Sequence, residues 1–206
     1  FPADDDGIVP LTDTEWFDDD SSHRLIEFIT VAWDKSNLEA NLTFLADNLS
    51  PKKNELSRDT LRRYLCDSFF KDHTQTYKKR PIYWLFSSGK QKAFQCLVYL
   101  HRYNDGTLAR MRNKYVVPLQ GILNSRIEQL ESDIPAANST SHRKKLETER
   151  TRLIKQREEL QRFDEKLRHY ADQRITLDLD DGVKVNYGKF GDLLAEVNVI
   201  TGRKPK

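Results

Sequence analysis

Four side chains near the middle of the chain carry ligand or nucleophile chemistry: Cys66, His73, Cys96 and His101. A zinc site could use such a set, but closely spaced pairs such as C-x2-C are what hold its ligands together. The spacings here are C-x6-H and C-x4-H, which reads as buried structural cysteines beside isolated histidines. Cys96 and His101 lie five apart on a stretch that reads as strand, so they face opposite sides and cannot act as nucleophile and base. The carboxylate run Asp18-Asp19-Asp20 has no matched acidic set and no histidine, and reads as a solvated acidic segment. Ser87-Ser88-Gly89-Lys90 ends like a phosphate loop. The earlier glycine and the Ser/Thr after the lysine are missing, so it reads as a hairpin turn. No catalytic residue and no metal ligand is assigned.

What remains is charge. Residues 1–22 hold eight acidic groups, Asp4, Asp5, Asp6, Asp13, Glu15, Asp18, Asp19 and Asp20, and no basic one. The rest of the chain then has 34 basic against 24 acidic side chains, a net of +10 beneath the overall +2. Residues 71–114 alone carry ten basic and two acidic groups. A local excess of this size favours a polyanionic partner. The candidates for contact with a nucleic-acid backbone are Lys78, Lys79, Arg80, Lys90, Lys92, Arg102, Arg110, Arg112 and Lys114; the alternative is a plain solvated surface. Tyr83, Trp84, Phe86, Phe94, Tyr99 and Tyr103 interleave with them. Such aromatics can stack bases, but a hairpin core is the better reading here.

These residues need elements to position them. At 206 residues the chain has room for one or two domains. Hydrophobic residues make up 37% and charged residues 32%, which suggests long solvated helices. No apolar run is long enough to span a membrane. Two cysteines do not make a disulfide framework, which fits a reduced, cytoplasmic setting. The acidic start does not read as a signal peptide, and Phe1 without a methionine suggests a cut-out fragment.

The pattern predicts a mostly α, α+β chain in five parts. Residues 1–22 are an acidic, extended lead-in, with Ile8-Val9-Pro10-Leu11 as a packing anchor. Residues 23–78 form a helical bundle. Ser21 or Ser22 caps its first helix. Ser36 starts the second, with Glu39 completing a capping box, and Ser57 or Asp59 caps the third. Residues 79–107 form a β-hairpin and turn, with Thr107 as a cap. Residues 108–171 form a long antiparallel helical hairpin. Pro118 kinks it or restarts it at Leu119. Residues 135–140 break it, and Thr140 or Ser141 caps the return helix. Leu146, Leu153, Leu160 and Leu167 recur every seven residues as its seam. Polar Glu149 and Gln156 on that seam suggest packing against something besides the partner helix. In 172–206, Ile175, Leu177 and Leu179, then Val183, Val185 and Tyr187, alternate around Asp180-Asp181-Gly182. They read as a second hairpin, followed by a short helix and a frayed tail.

The central string KRPIYWLFSSGK with LVYLHRY and TLARMRNKYVVPLQ, the opening GIVPLTDTEWFDDD and the closing DDGVKVNYGKFGDLLAEV resemble the C-terminal region of PglX-type adenine-specific DNA methyltransferases of BREX phage-defence systems. The resemblance spans nearly the whole chain. It implies a parent enzyme that uses S-adenosylmethionine to mark host DNA. The partners it implies are the parent's own catalytic and DNA-recognition domains, double-stranded DNA and other phage-defence proteins, with no membrane. The family's catalytic loop, Asn/Asp-Pro-Pro-Tyr/Phe, has no counterpart, since the chain holds no Pro-Pro pair, and no G-x-G exists to cradle the cofactor. The segment is therefore expected to hold no cofactor and to brace DNA recognition or touch DNA backbone. The rival reading is a protein–protein docking module, favoured by the Leu-rich rod.

Overall fold

The computed structural model describes residues 6–202. Asp4 and Asp5 of the acidic lead-in and the tail from Arg203 lie outside the described residues. The chain is mostly helical with one small antiparallel sheet. It divides into two compact units. The first gathers the described residues up to Phe86, Gln95–Tyr103 and those from Asp178 onward. The second comprises Ser87–Phe94 and Asn104–Leu177.

In the first unit, strands β1 (Ile8–Pro10), β2 (Tyr83–Ser87) and β3 (Gln95–Tyr99) form a sheet of order β1-β3-β2. The expected packing anchor is thus a full sheet strand: Ile8 pairs Val98, Val9 pairs Leu97 and Pro10 pairs Cys96. Pro10 is tolerated because β1 is an edge strand. Gly7 enters it at φ +68, and a Cβ there would meet Arg102 Cβ at 2.8 Å.

Helices α1 (Ser21–Trp33), α2 (Leu38–Asp47) and α3 (Ser57–Asp67) bury Ile29, Leu42 and Leu61 against one another. Each such side chain contributes about 1.5–3 kcal/mol on burial. The caps differ from the sequence reading. Asp20, not Ser21 or Ser22, caps α1, its Oδ1 accepting from Ser22 N at 2.9 Å and His23 N at 3.0 Å. Its Oδ2 meets Arg62 of α3, whose guanidinium also donates to Thr12 O at 3.0 Å. Asp20 is fully buried, so this end of the acidic run is a structural clamp and not a solvated segment. No capping box forms at α2. Asn37 precedes it without a side-chain bond, and Glu39 pairs instead with Arg58 at 2.5 Å. At α3 neither Ser57 nor Asp59 caps. Glu55 does related work, accepting from Lys52 N, Thr60 Oγ1 and Arg63. The Arg63 guanidinium and these donors pull its pKa down to about 2.

Helix α4 (Phe69–Thr76) leads to the sheet. His73 on α4 accepts from Tyr83 N at 3.1 Å and lies 4.6 Å from the Tyr77 ring.

The expected C-terminal hairpin is absent among the described residues. Gly182–Gly188 is helix α8, followed by α9 (Val197–Thr201). Period-two apolar spacing over so few residues does not separate strand from helix. Asn186 ties the start of α8 to the segment before it: its amide donates to Gly182 O at 3.2 Å and its Oδ1 accepts from Asp178 N at 3.2 Å. One bridge, Phe86 with Leu194, is the β character that remains there. Tyr187 and Phe190 are fully buried against Trp84, ring centroids 5.2 and 5.8 Å away.

In the second unit, α5 (Thr107–Met111) runs through a π turn (Arg112–Val116) into α6 (Val117–Ala136). The α-helix restarts at Val117, two residues before the expected Leu119, with Pro118 in its first turn. The proline's missing N–H falls there, directly after the widened π turn. Thr107 Oγ1 accepts from Asn104 N at 2.9 Å, reaching back before the helix, and Gly106 occupies the cap position. Pro135 stays inside α6, and α7 (Thr140–Asp172) is capped by Ser139 through His142 N at 3.2 Å, not by Thr140 or Ser141. Leu119, Leu123, Ile127 and Leu130 of α6 and Leu153, Leu160, Phe163 and Leu167 of α7 are buried. The connection of three residues makes the two helices an antiparallel pair. Gln156 packs against something besides the partner helix, as expected, donating to Gln91 O of the loop between β2 and β3 at 3.1 Å. Glu149 instead pairs Arg126 of α6, the partner helix itself, at 2.9 Å. No helix among the described residues is long and apolar enough to cross a membrane.

Candidate phosphate-contacting surfaces

The nine candidate cations fall in both units. Lys78, Lys79, Arg80 and Arg102 belong to the first, Lys90, Lys92, Arg110, Arg112 and Lys114 to the second.

In the first unit the cations follow the end of α4. Lys79 N bonds Thr74 O at 2.8 Å and Lys78 N bonds Gln75 O at 3.0 Å. These are the paired six-to-one and five-to-two closures of a Schellman cap. Lys78 and Lys79 take φ +49 and +62, where glycine is usual. Lys78, Lys79 and Arg80 are exposed and line an open recess of about 840 Å³ together with Trp84, Leu100 and the start of α8. The recess also gains Lys184, which pattern reading misses by placing it on a strand. Arg102 is exposed on the turn after β3.

In the second unit the loop between β2 and β3 carries exposed Lys90 and half-buried Lys92. Glu159 of α7, almost fully buried, holds this loop, accepting from Ser88 Oγ at 2.8 Å, Gln91 N at 2.7 Å and Ala93 N at 3.3 Å. Gly89 stands at φ +135, and a Cβ there would meet Glu159 Oε2 at 2.9 Å. Sequence reasoning missed Glu159, and no local signal marks it. Arg110 is exposed. Arg112 turns back onto Asp164, its Nη2 donating to Oδ2 at 3.0 Å and its Nε 2.7 Å from Oδ1, an ion pair. Lys114 Nζ lies 4.8 Å over the Tyr115 ring.

Three of the six aromatics are core, and the three tyrosines are half-buried. Trp84, Phe86 and Phe94 are buried, Tyr83 pairs Tyr99 at 5.2 Å, and Tyr103 packs on Phe190 at 5.4 Å. Burial pushes the Cys96 thiol well above its usual range and lowers the His73 pKa. Among the described residues no three His, Cys, Asp or Glu side chains are grouped to hold a metal ion. In the Gly-containing turn after β2 the N–H groups of Gln91 and Ala93 are taken by Glu159.

This is a helix-rich segment whose exposed cations lie at a Schellman cap, on a clasped loop and along a helix start. No protein-family model matches the chain. It is 56% identical over its whole length to adenine-specific methyltransferase BrxX of Escherichia coli O9:H4 (strain HS), covering 17% of that protein. It is 43% identical over 89% of its length to adenine-specific methyltransferase PglX of Lacticaseibacillus casei (strain Zhang), covering 16% of it. The chain spans about a sixth of the length of the curated relatives it matches. It is homologous throughout to a stretch of the BrxX/PglX adenine-specific methyltransferases, the family its motifs resemble.

Proposed function

We propose that this chain is a non-catalytic, C-terminal segment of a larger N6-adenine DNA methyltransferase of BREX phage defence, acting in the cytoplasm. In this reading the parent's catalytic domain carries S-adenosylmethionine and transfers the methyl group. The segment supports the parent's DNA-recognition domain and touches duplex DNA through its phosphates. The match to BrxX at 56% identity over the whole of this chain carries the proposal. The missing Pro-Pro loop and G-x-G turn support a non-catalytic role, and the exposed cations support backbone contact.

A calorimetric comparison tests it. Titrated with S-adenosylmethionine, the chain gives no heat of binding, and titrated with duplex DNA at low salt it does. A micromolar signal with the cofactor overturns the non-catalytic assignment.

A second reading, docking on other phage-defence proteins, has one observation in its favour. Phe28, Trp33, Phe44 and Leu56 of the bundle are each half exposed or more, and large exposed apolar side chains mark interaction surfaces when they adjoin.

A further inference from the structure

Lys78 and Lys79 occupy consecutive left-handed positions. A non-glycine residue there costs roughly 1–3 kcal/mol, and such strain gathers at functional sites. Packing does not demand lysine, because both side chains are exposed. Glycine would close the Schellman cap at less cost, so what lysine adds is a cation in solvent.

That cation is not alone. Arg80 follows, and α8 brings Lys184 to the same recess, so four cations line it. Asp181 shares the recess and lies 3.6 Å from Lys189, and Glu196 lines the adjoining hollow with Lys78 and Lys79, so the cations still outnumber the carboxylates. Cations gathered around one recess repel one another, and an anion seated among them relieves this. The floor is rigid: Trp84 Nε1 donates to Pro81 O at 3.0 Å, and its ring meets Tyr187 and Phe190 edge-on. Arg80 adds a planar fork suited to phosphate oxygens. At about 840 Å³ the recess far exceeds the roughly 30 Å³ of one water, which suits a run of phosphates better than one ion.

We infer that the recess bounded by Lys78, Lys79, Arg80 and Lys184 is a binding site for the phosphodiester groups of a nucleic-acid backbone, with Lys184 a contact residue. The inference rests on the reading that this chain touches DNA. The site lies wholly within the first unit, and its three lysine heads, on flexible stems, meet phosphates as point charges while the Arg80 fork grips phosphate oxygens.

Fluorescence anisotropy of the full chain with a labelled duplex, over a salt series, tests it. Three variants are compared: Lys184→Ala, Lys79→Gly, and Arg110→Ala of the second unit. Lys184→Ala is expected to lower the salt slope by about 0.9, one phosphate contact. Lys79→Gly is expected to lower it equally while raising the melting temperature, because glycine relieves the left-handed strain. A purely structural lysine would not give that opposite pair of changes. If the wild-type chain binds no duplex, the DNA-contacting reading fails and the site with it. If the wild type binds and Arg110→Ala lowers the slope, but Lys184→Ala and Lys79→Gly change nothing, the site is overturned and the broader reading stands. If millimolar inorganic phosphate displaces the duplex at constant ionic strength, the recess holds free oxyanions and the backbone assignment is overturned.

Discussion

The carboxylate of Glu159 accepts hydrogen bonds from Ser88 Oγ at 2.8 Å and from Gln91 N at 2.7 Å, across 71 and 68 residues of chain. A buried charge thus fixes the loop that presents Lys90. Glu159→Ala would leave those donors facing an apolar gap, and is expected to destabilise the second unit by about 2–4 kcal/mol. Chemical denaturation checks this, and an unchanged midpoint would contradict the clasp.

Leu153 is fully buried in the α6/α7 pair. Leu153→Ala removes a core side chain and is expected to cost roughly 2–4 kcal/mol. A melting temperature equal to that of the wild type would contradict the seam.

His73 gives a pH dependence whose sign can be worked out. Burial lowers its folded-state pKa below the ordinary 6.5, and it accepts Tyr83 N, which requires a neutral nitrogen. A depressed folded pKa means that the stability is fully present above 6.5 and is lost as pH falls from there through the folded value. Thermal melts from pH 7.5 down to 5 should show a falling melting temperature that flattens in His73→Gln. A wild-type curve no steeper than that of the variant would contradict the assignment.

Arg110 and Arg112 should behave differently although they are two residues apart. Arg112 is held by Asp164, so Arg112→Ala is expected to lower stability and leave the salt slope of DNA binding nearly unchanged. Arg110→Ala should lower the slope by about 0.9 at unchanged stability. Salt-series titrations with paired melts distinguish them, and equal slope losses would show that Arg112 leaves Asp164 to meet phosphate.

Much of this architecture is legible in the chain, for a physical reason. Leu153, Leu160 and Leu167 repeat at the period that one helix face requires, and the aromatic runs around Gly89 read as paired strands. Other features depend on contacts distant in sequence. Asp20 looks like part of a solvated acidic run until Arg62, 42 residues on, is placed against it. Glu159 resembles any surface carboxylate of a charged helix until the loop arrives. Lys184 joins the cationic recess on helix α8, where alternation suggested a strand.

The central claim is that this chain contacts DNA through phosphates and without regard to sequence. The most direct measurement is fluorescence anisotropy of the chain with two duplexes, one bearing the parent's methylation site and one scrambled, between 50 and 200 mM salt, roughly the range over which phosphate contacts are lost. The account predicts equal affinities at every salt concentration and a shared, steep decline. A preference for the methylation-site duplex that survives added salt would contradict it.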